Sequence, residues 1–323
     1  MNFSSEEKRL LPKFIIGGGM KCGTTTLHWL LNQHKNVFIP GSAEEEPHFF
    51  TIDDIEQNPD FFLKSKKGWE CLDFEKNFNQ YLKWYLNFFK AAKNGQIIGE
   101  DCVSYLPSKK AAARISSIIP NVKLIFILRN PVERTYSQYW HWVKTNRATD
   151  TFENTLQFSS GHLIQRSLYR EHIELFLRYF KQKQMKFIIF ESFVNDMQNT
   201  LNEVCEFLEI DNINVINLKT HVNQALVPKN IILQLLFNKL FKKRYSGRKY
   251  QCYHLPNATP YNYPGFPPLI LRAFQKINLT QRKNYPPMSE DTRRFLENFF
   301  KMENKGLSDL IKIPVEEFWT YMR

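Results

Sequence analysis

The apolar run Phe14-Ile15-Ile16 stops at three glycines, Gly17-Gly18-Gly19. Met20-Lys21-Cys22-Gly23-Thr24-Thr25-Thr26 follows, and then the helical-looking Leu27-His28-Trp29-Leu30-Leu31. That order reads as strand, tight loop and helix N-terminus. Glycines let a backbone approach a bound anion closely. The free N–H groups and dipole of a first helical turn favour a phosphate or sulfate. Lys21 adds a point charge, and Thr24, Thr25 and Thr26 add hydroxyl donors. That order puts the loop at the carboxyl end of a strand, where ligands of open α/β sheets sit.

Gly18 and Gly23 have the separation of the nucleotide-binding pattern Gly-x-x-x-x-Gly-Lys-Ser/Thr. Thr24, however, stands where that pattern needs its lysine, so a nucleotide-dependent kinase is disfavoured. Lys-x-Gly-Thr-Thr after a strand resembles the 5′-phosphosulfate loop of sulfotransferases that use 3′-phosphoadenosine 5′-phosphosulfate (PAPS). Val122-Lys123-Leu124-Ile125-Phe126-Ile127-Leu128 reads as a strand buried on both faces. It runs into Arg129-Asn130-Pro131-Val132-Glu133-Arg134-Thr135-Tyr136-Ser137, with Pro131 suited to a first helical turn. That segment resembles the family's 3′-phosphate-binding segment. An arginine suits phosphate because its planar fork bonds two oxygens at once.

A third match lies between them. Glu44-Glu45-Glu46-Pro47-His48-Phe49-Phe50 resembles the Glu-x-His-Phe-Phe segment of heparan-sulfate-type and many bacterial sulfotransferases. Gly99-Glu100-Asp101-Cys102-Val103-Ser104-Tyr105 is similar to the family's Gly-Glu-x-x-x-x-Tyr, with Asp101 where heparan sulfate 3-O-sulfotransferases carry a lysine. Arg166-Ser167-Leu168-Tyr169 and Tyr285-Pro286-Pro287-Met288 resemble two further helix starts. The resemblance covers most of the chain and is weakest from Asn212 to Asn284. It implies a P-loop-like three-layer α/β fold with a parallel central sheet and helices on both faces. It also implies PAPS as sulfuryl donor, with the cofactor held by Lys21, Cys22, Gly23, Thr24, Thr25, Thr26, Arg129 and Ser137. Glu46 would be the general base, with His48 and Lys21 beside the reacting centre. Arg248, after Ser246-Gly247, would close over the 3′-phosphate as a late Gly-Arg loop does in the family.

The chain has 323 residues, 43% of them hydrophobic, and no Pro/Gly/Ser-rich linker divides it, so one domain over 1–323 is expected. Strands are expected near 13–18, 37–39, 96–99, 122–128 and 185–190. Helices are expected near 24–34, 76–91, 107–119, 131–145, 168–181 and 193–208, and helices should dominate after Val227. The five cysteines form no Cys-x-x-Cys pair, which suits a reducing compartment. Metal-ligand spacings are absent; Glu44, Glu45, Glu46 and His48 read as a solvated turn, and no metal is expected. The N-terminus has no apolar signal segment. A cytoplasmic protein is therefore expected, unless an anchor preceded the first strand.

The net charge of +12 suits a polyanionic cofactor, and no nucleic-acid-binding motif accompanies it. Seven basic residues and no acidic one lie between Lys229 and Lys249, behind the apolar Ile231-Ile232-Leu233-Gln234-Leu235-Leu236-Phe237. The plainer reading is a core-facing helix with a solvated basic end; the other is a peripheral membrane contact through 229–249. The acceptor, a small molecule or a glycan, is not legible, and neither is the oligomeric state. Besides a kinase, the standing alternative is a basic anion- or membrane-binding module without catalysis. It would require Glu46 and His48 to face away from the cofactor loops.

Overall fold

The computed structural model describes residues 3–41, 46–65, 68–70, 73–214, 225–245, 269–282 and 284–323. Among the described residues, nine strands form three sheets: β1 (Phe14–Gly18), β2 (Val37–Phe38), β3 (Leu63–Ser65), β4 (Gly68–Glu70), β5 (Ile97–Asp101), β6 (Lys123–Leu128), β7 (Met185–Ile189), β8 (Ala225–Pro228) and β9 (Leu279–Arg282). The central sheet has the order β2-β5-β1-β6-β7, and all its pairings are parallel. Its strands are mostly apolar because both faces are covered, with Glu100 and Asp101 at the end of β5 as buried exceptions.

Side chains along a strand alternate between faces, and the sheet sorts them into two cores. Phe14, Ile16, Ile125, Ile127 and Ile188 pack with Leu27, Leu30 and Leu31 of helix Thr24–Leu31 and with Leu201, Val204 and Leu208 of helix Met197–Leu208. Ile15, Leu124, Phe126, Leu128 and Ile189 pack on the other face. Their partners come from helices Phe78–Asn87, Ala111–Ile118 and Tyr169–Leu177. The expected three-layer arrangement and all five central strands are therefore found. A third core joins helix Pro131–Lys144 to β8 and to helix Glu290–Glu303, through Tyr136, Trp140, Val227, Leu296 and Phe300.

Helices dominate after Val227 as expected, and β8 and β9 add an antiparallel pair there, with Val227 opposite Thr280. The β3–β4 hairpin is a further addition to the expected strands. One expectation needs amendment: helix Ile231–Tyr245 turns only part of its apolar side to the core, with Leu235 buried beside the fully buried Gln234 and Asn238, while Ile232, Leu236 and Leu240 are exposed. Glu44, Glu45 and the Ser246-Gly247-Arg248 loop, including the Arg248 cofactor assignment, lie outside the described residues.

Candidate functional site

The glycine loop leaves β1 with backbone that only glycine tolerates. Gly18 has φ 123°, and a Cβ there would lie 2.3 Å from the Ile127 carbonyl oxygen of the neighbouring strand. Gly23 has φ 90° and caps helix Thr24–Leu31 without any side-chain cap. The first helical N–H groups are thus left for an incoming acceptor. Lys21 itself sits at φ 74°, in the left-handed region that ordinary residues avoid. That conformation is held from β6. Arg129, just past the end of that strand, donates from Nη1 to the Lys21 carbonyl oxygen at 3.1 Å and lies 4.8 Å over the Phe190 ring.

Burial lowers the Lys21 ammonium to about 8, and the Lys144 and Arg129 charges push the same way. Burial, Lys21 and Lys144 likewise hold His141 well below its usual range. Cations crowded at a helix N-terminus repel one another until an anion arrives. Behind the loop, Arg134 is fully buried, donates to the Leu163 carbonyl and leaves Nε and Nη1 without a partner. Cys22 is a packing thiol, pushed up to about 11 by burial, with its sulfur 3.8 Å from the Tyr169 hydroxyl. Ser137 is buried on helix Pro131–Lys144, whose start is fixed by Asn130 accepting from the Val132 and Glu133 N–H groups.

The second group of side chains gathers at the end of β5, beside β1. Phe49 stacks on Tyr85 at 4.2 Å and Phe50 meets Tyr105 edge-on at 5.3 Å. These two rings anchor the segment in the core and thereby fix the residues before them. His48 takes φ 51°, and its Nδ1 lies 2.9 Å from Ser104 Oγ and 3.4 Å from Cys102 Sγ. Its Nε2 is 3.8 Å from Glu46 Oε2, and that same oxygen accepts from the Val103 N–H at 3.0 Å. Burial, then the Asp101 charge, push the Glu46 carboxyl up to about 8, while Arg166 opposes this. Burial and a neighbouring carboxylate, rather than the Lys21 charge, set this group.

Glu100 is also lifted to about 8 by burial, in a fully enclosed site facing Tyr85 and Tyr105. The Gly-Glu-x-x-x-x-Tyr segment thus forms an internal scaffold. Asp101 is tied across to the loop helix, its Oδ1 2.8 Å from His28 Nδ1. Arg166 spans the two groups, donating to the Gln57 carbonyl at 3.0 Å and lying 4.0 Å from Met20 Sδ.

The described sequence-predicted residues other than Ser137, which is buried within its helix, therefore fall into two adjoining sets. Lys21 to Thr26 with Arg129 form a cationic cradle, and Glu46 with His48 forms an acid–imidazole site. Sequence reasoning gave no site role to Lys144, Arg166, Cys102 or Ser104. The last three lie inside the segments matched above, whereas Lys144, at the far end of a helix, carries no local pattern. Among the described residues, Glu46, His48 and Cys102 each bring one potential ligand atom within 4.8 Å of the others. The sequence alone groups Glu46 and His48 with Glu44 and Glu45, and gives no sign that Cys102 joins them.

Comparison with known proteins gives a consistent picture. The sulfotransferase domain model matches residues 11–226. Human heparan sulfate glucosamine 3-O-sulfotransferase 3B1 is 30% identical over 219 residues, which covers 65% of this chain and 49% of that enzyme. Mouse bifunctional heparan sulfate N-deacetylase/N-sulfotransferase 4 is 26% identical over 93% of this chain and 30% of that protein. The chain thus spans about half the length, or less, of the curated relatives it matches. A sulfotransferase structure from Alicyclobacillus acidocaldarius superposes with TM-score 0.65, over 97% of this chain and 99% of that one, at 22% identity. The fold is shared with it.

Proposed function

Because the chain belongs to the sulfotransferase domain family, we propose that it is a PAPS-dependent sulfotransferase acting on a hydroxyl or amine of a glycan or small-molecule acceptor. The observation that carries this reading is the adjacency of the two side-chain sets. The cationic cradle follows β1, the Glu46–His48 site abuts the end of β5, and the His28–Asp101 contact clamps the two together. The donor supplies a sulfur centre whose bond to the 5′-phosphate oxygen breaks as a bond to the acceptor atom forms.

The chain's own residues do the rest by position and charge. Lys21 and the Thr24–Thr26 helix start would hold the 5′-phosphate and meet the charge it gains. Arg129 and Ser137 would hold the 3′-phosphate. Glu46 would take the acceptor's proton, with His48 oriented beside it by Ser104. The relatives named above are heparan sulfate enzymes, which makes a glycan a fitting first acceptor to assay.

The direct test is thermal. Adenosine 3′,5′-bisphosphate should raise the melting temperature, with a stabilisation of about 2.7 kcal/mol at a hundred times its Kd. ATP with Mg²⁺ should do much less. A larger shift with ATP and Mg²⁺ would favour the kinase reading, and no shift with either would reject the cradle.

Arg129 offers a sharper check. Its guanidinium props the Lys21 carbonyl as well as facing the cradle. Arg129→Ala should therefore weaken adenosine 5′-phosphate somewhat and adenosine 3′,5′-bisphosphate by a further ~10-fold or more, the scale of one lost charge-assisted contact. Calorimetry on both ligands separates the roles. Equal losses would leave Arg129 as a loop prop only.

A further inference from the structure

Helix Ile231–Tyr245 turns Leu235 and Ile231 to the core but leaves most of its other aliphatic side chains outside. The rest of its inward side carries amides: Gln234 donates to Asn238 Oδ1 at 2.9 Å, and Asn238 donates to the Val143 and Ala148 carbonyls at 2.9 and 2.7 Å. Asn278 closes the network by donating to Gln234 Oε1 at 3.0 Å. The outward side carries Ile232, Leu233, Leu236 and Leu240, between 48% and 74% exposed. At 3.6 residues per turn these four and Lys239 span an arc of roughly 120°, opposite Gln234 and Asn238. The companion helix Leu269–Asn278, joined by a Phe237–Phe274 ring stack at 4.0 Å, adds exposed Leu269 and Ile277. A globular surface helix ordinarily does the reverse. Clustered exposed apolar side chains of this kind mark an interaction surface.

We propose that this outward face docks on an anionic lipid surface, its leucines entering the headgroup boundary and its lysines meeting the headgroups. Charge selects the occupant. Lys229, Lys239 and Lys276 are exposed around the apolar face, and the stretch from 229 to 249 contains no acidic residue. Two copies joined face to face would oppose like charges on chains that each carry +12, whereas an anionic bilayer attracts them. Among the described residues no helix is long and apolar enough to cross a membrane, so the contact is peripheral.

The test is co-sedimentation of the full chain with phosphatidylserine/phosphatidylcholine vesicles and with phosphatidylcholine alone, beside sedimentation velocity without lipid. Expected are binding to the anionic vesicles only, weakening with added salt, and a monomer in free solution. A Leu236→Asp/Leu240→Asp variant should bind roughly tenfold less or worse while keeping its thermal shift with adenosine 3′,5′-bisphosphate, which shows that it folds. Three outcomes overturn the proposal: no sedimentation with anionic vesicles, sedimentation indifferent to the double substitution, or a dimer that the substitution dissolves. The last would assign the face to a second copy.

Discussion

Lys21→Ala is expected to lose turnover by about 10²–10³-fold, the cost of removing one donor from a charge-stabilising site. The loss should fall on kcat, because charge grows on the leaving phosphate during transfer and Lys21 interacts most strongly at that point. Burial and the Lys144 and Arg129 charges already lower this ammonium to about 8. The folded state therefore binds that proton less readily than the unfolded chain does. Between the folded value and the ordinary lysine value, stability rises with pH; below the folded value the charged lysine is a standing cost. Alanine removes the cost, so the ligand-free variant should melt no lower than the parent. Steady-state kinetics with saturating donor, paired with a thermal scan, decides the matter. A variant that keeps near-parental kcat would remove Lys21 from the reaction. One that melts far lower would make Lys21 a structural residue.

That trade of stability for a charged loop explains which parts of the molecule are legible in the sequence. The sheet is legible because each central strand is a short apolar run followed by turn chemistry, as in Val122 to Leu128 before Arg129. The cradle is legible because backbone geometry needs Gly18 and Gly23 at fixed spacing, with the charged Lys21 between them. What escapes depends on contacts far apart in the chain. Lys144 reaches the cradle from the last turn of the helix that Asn130 starts, and Arg166 arrives beside Met20 from 146 residues away. The environment of Glu46 also escapes, since burial and Asp101 set it and neither follows from the local pattern. The outer helix misleads for a related reason. Ile232, Leu236 and Leu240 look like a core stripe until Asn238 is seen bonded to the Val143 and Ala148 carbonyls, with Gln234 bonded to it in turn.

The raised Glu46 carboxyl yields the last expected result. A general base must be ionised, and a group near 8 is only about one-tenth ionised at pH 7 in the free protein. Activity under kcat/KM conditions should thus climb toward about pH 8 and fall beyond it without a plateau, because Lys21, lowered to about 8 as well, loses its proton over the same range. Glu46→Gln keeps the shape and the Val103 contact through its amide oxygen, and removes the basicity. It should cost about 10²–10⁴ in rate, the range of general-base assistance, with little change in affinity for adenosine 3′,5′-bisphosphate. Its remaining activity should lose the rising limb. Asp101→Asn can keep the His28 contact through its own oxygen while deleting a charge that raises Glu46, so the limb should move to lower pH. His48→Ala should be milder, because His48 bonds Ser104 and stands 3.8 Å from the carboxylate rather than replacing it. Single-turnover rates against pH for the parent and the three variants distinguish the two candidate bases. If Glu46→Gln retains the rising limb and His48→Ala abolishes it, the imidazole is the base, and the buried carboxyl merely holds it in place.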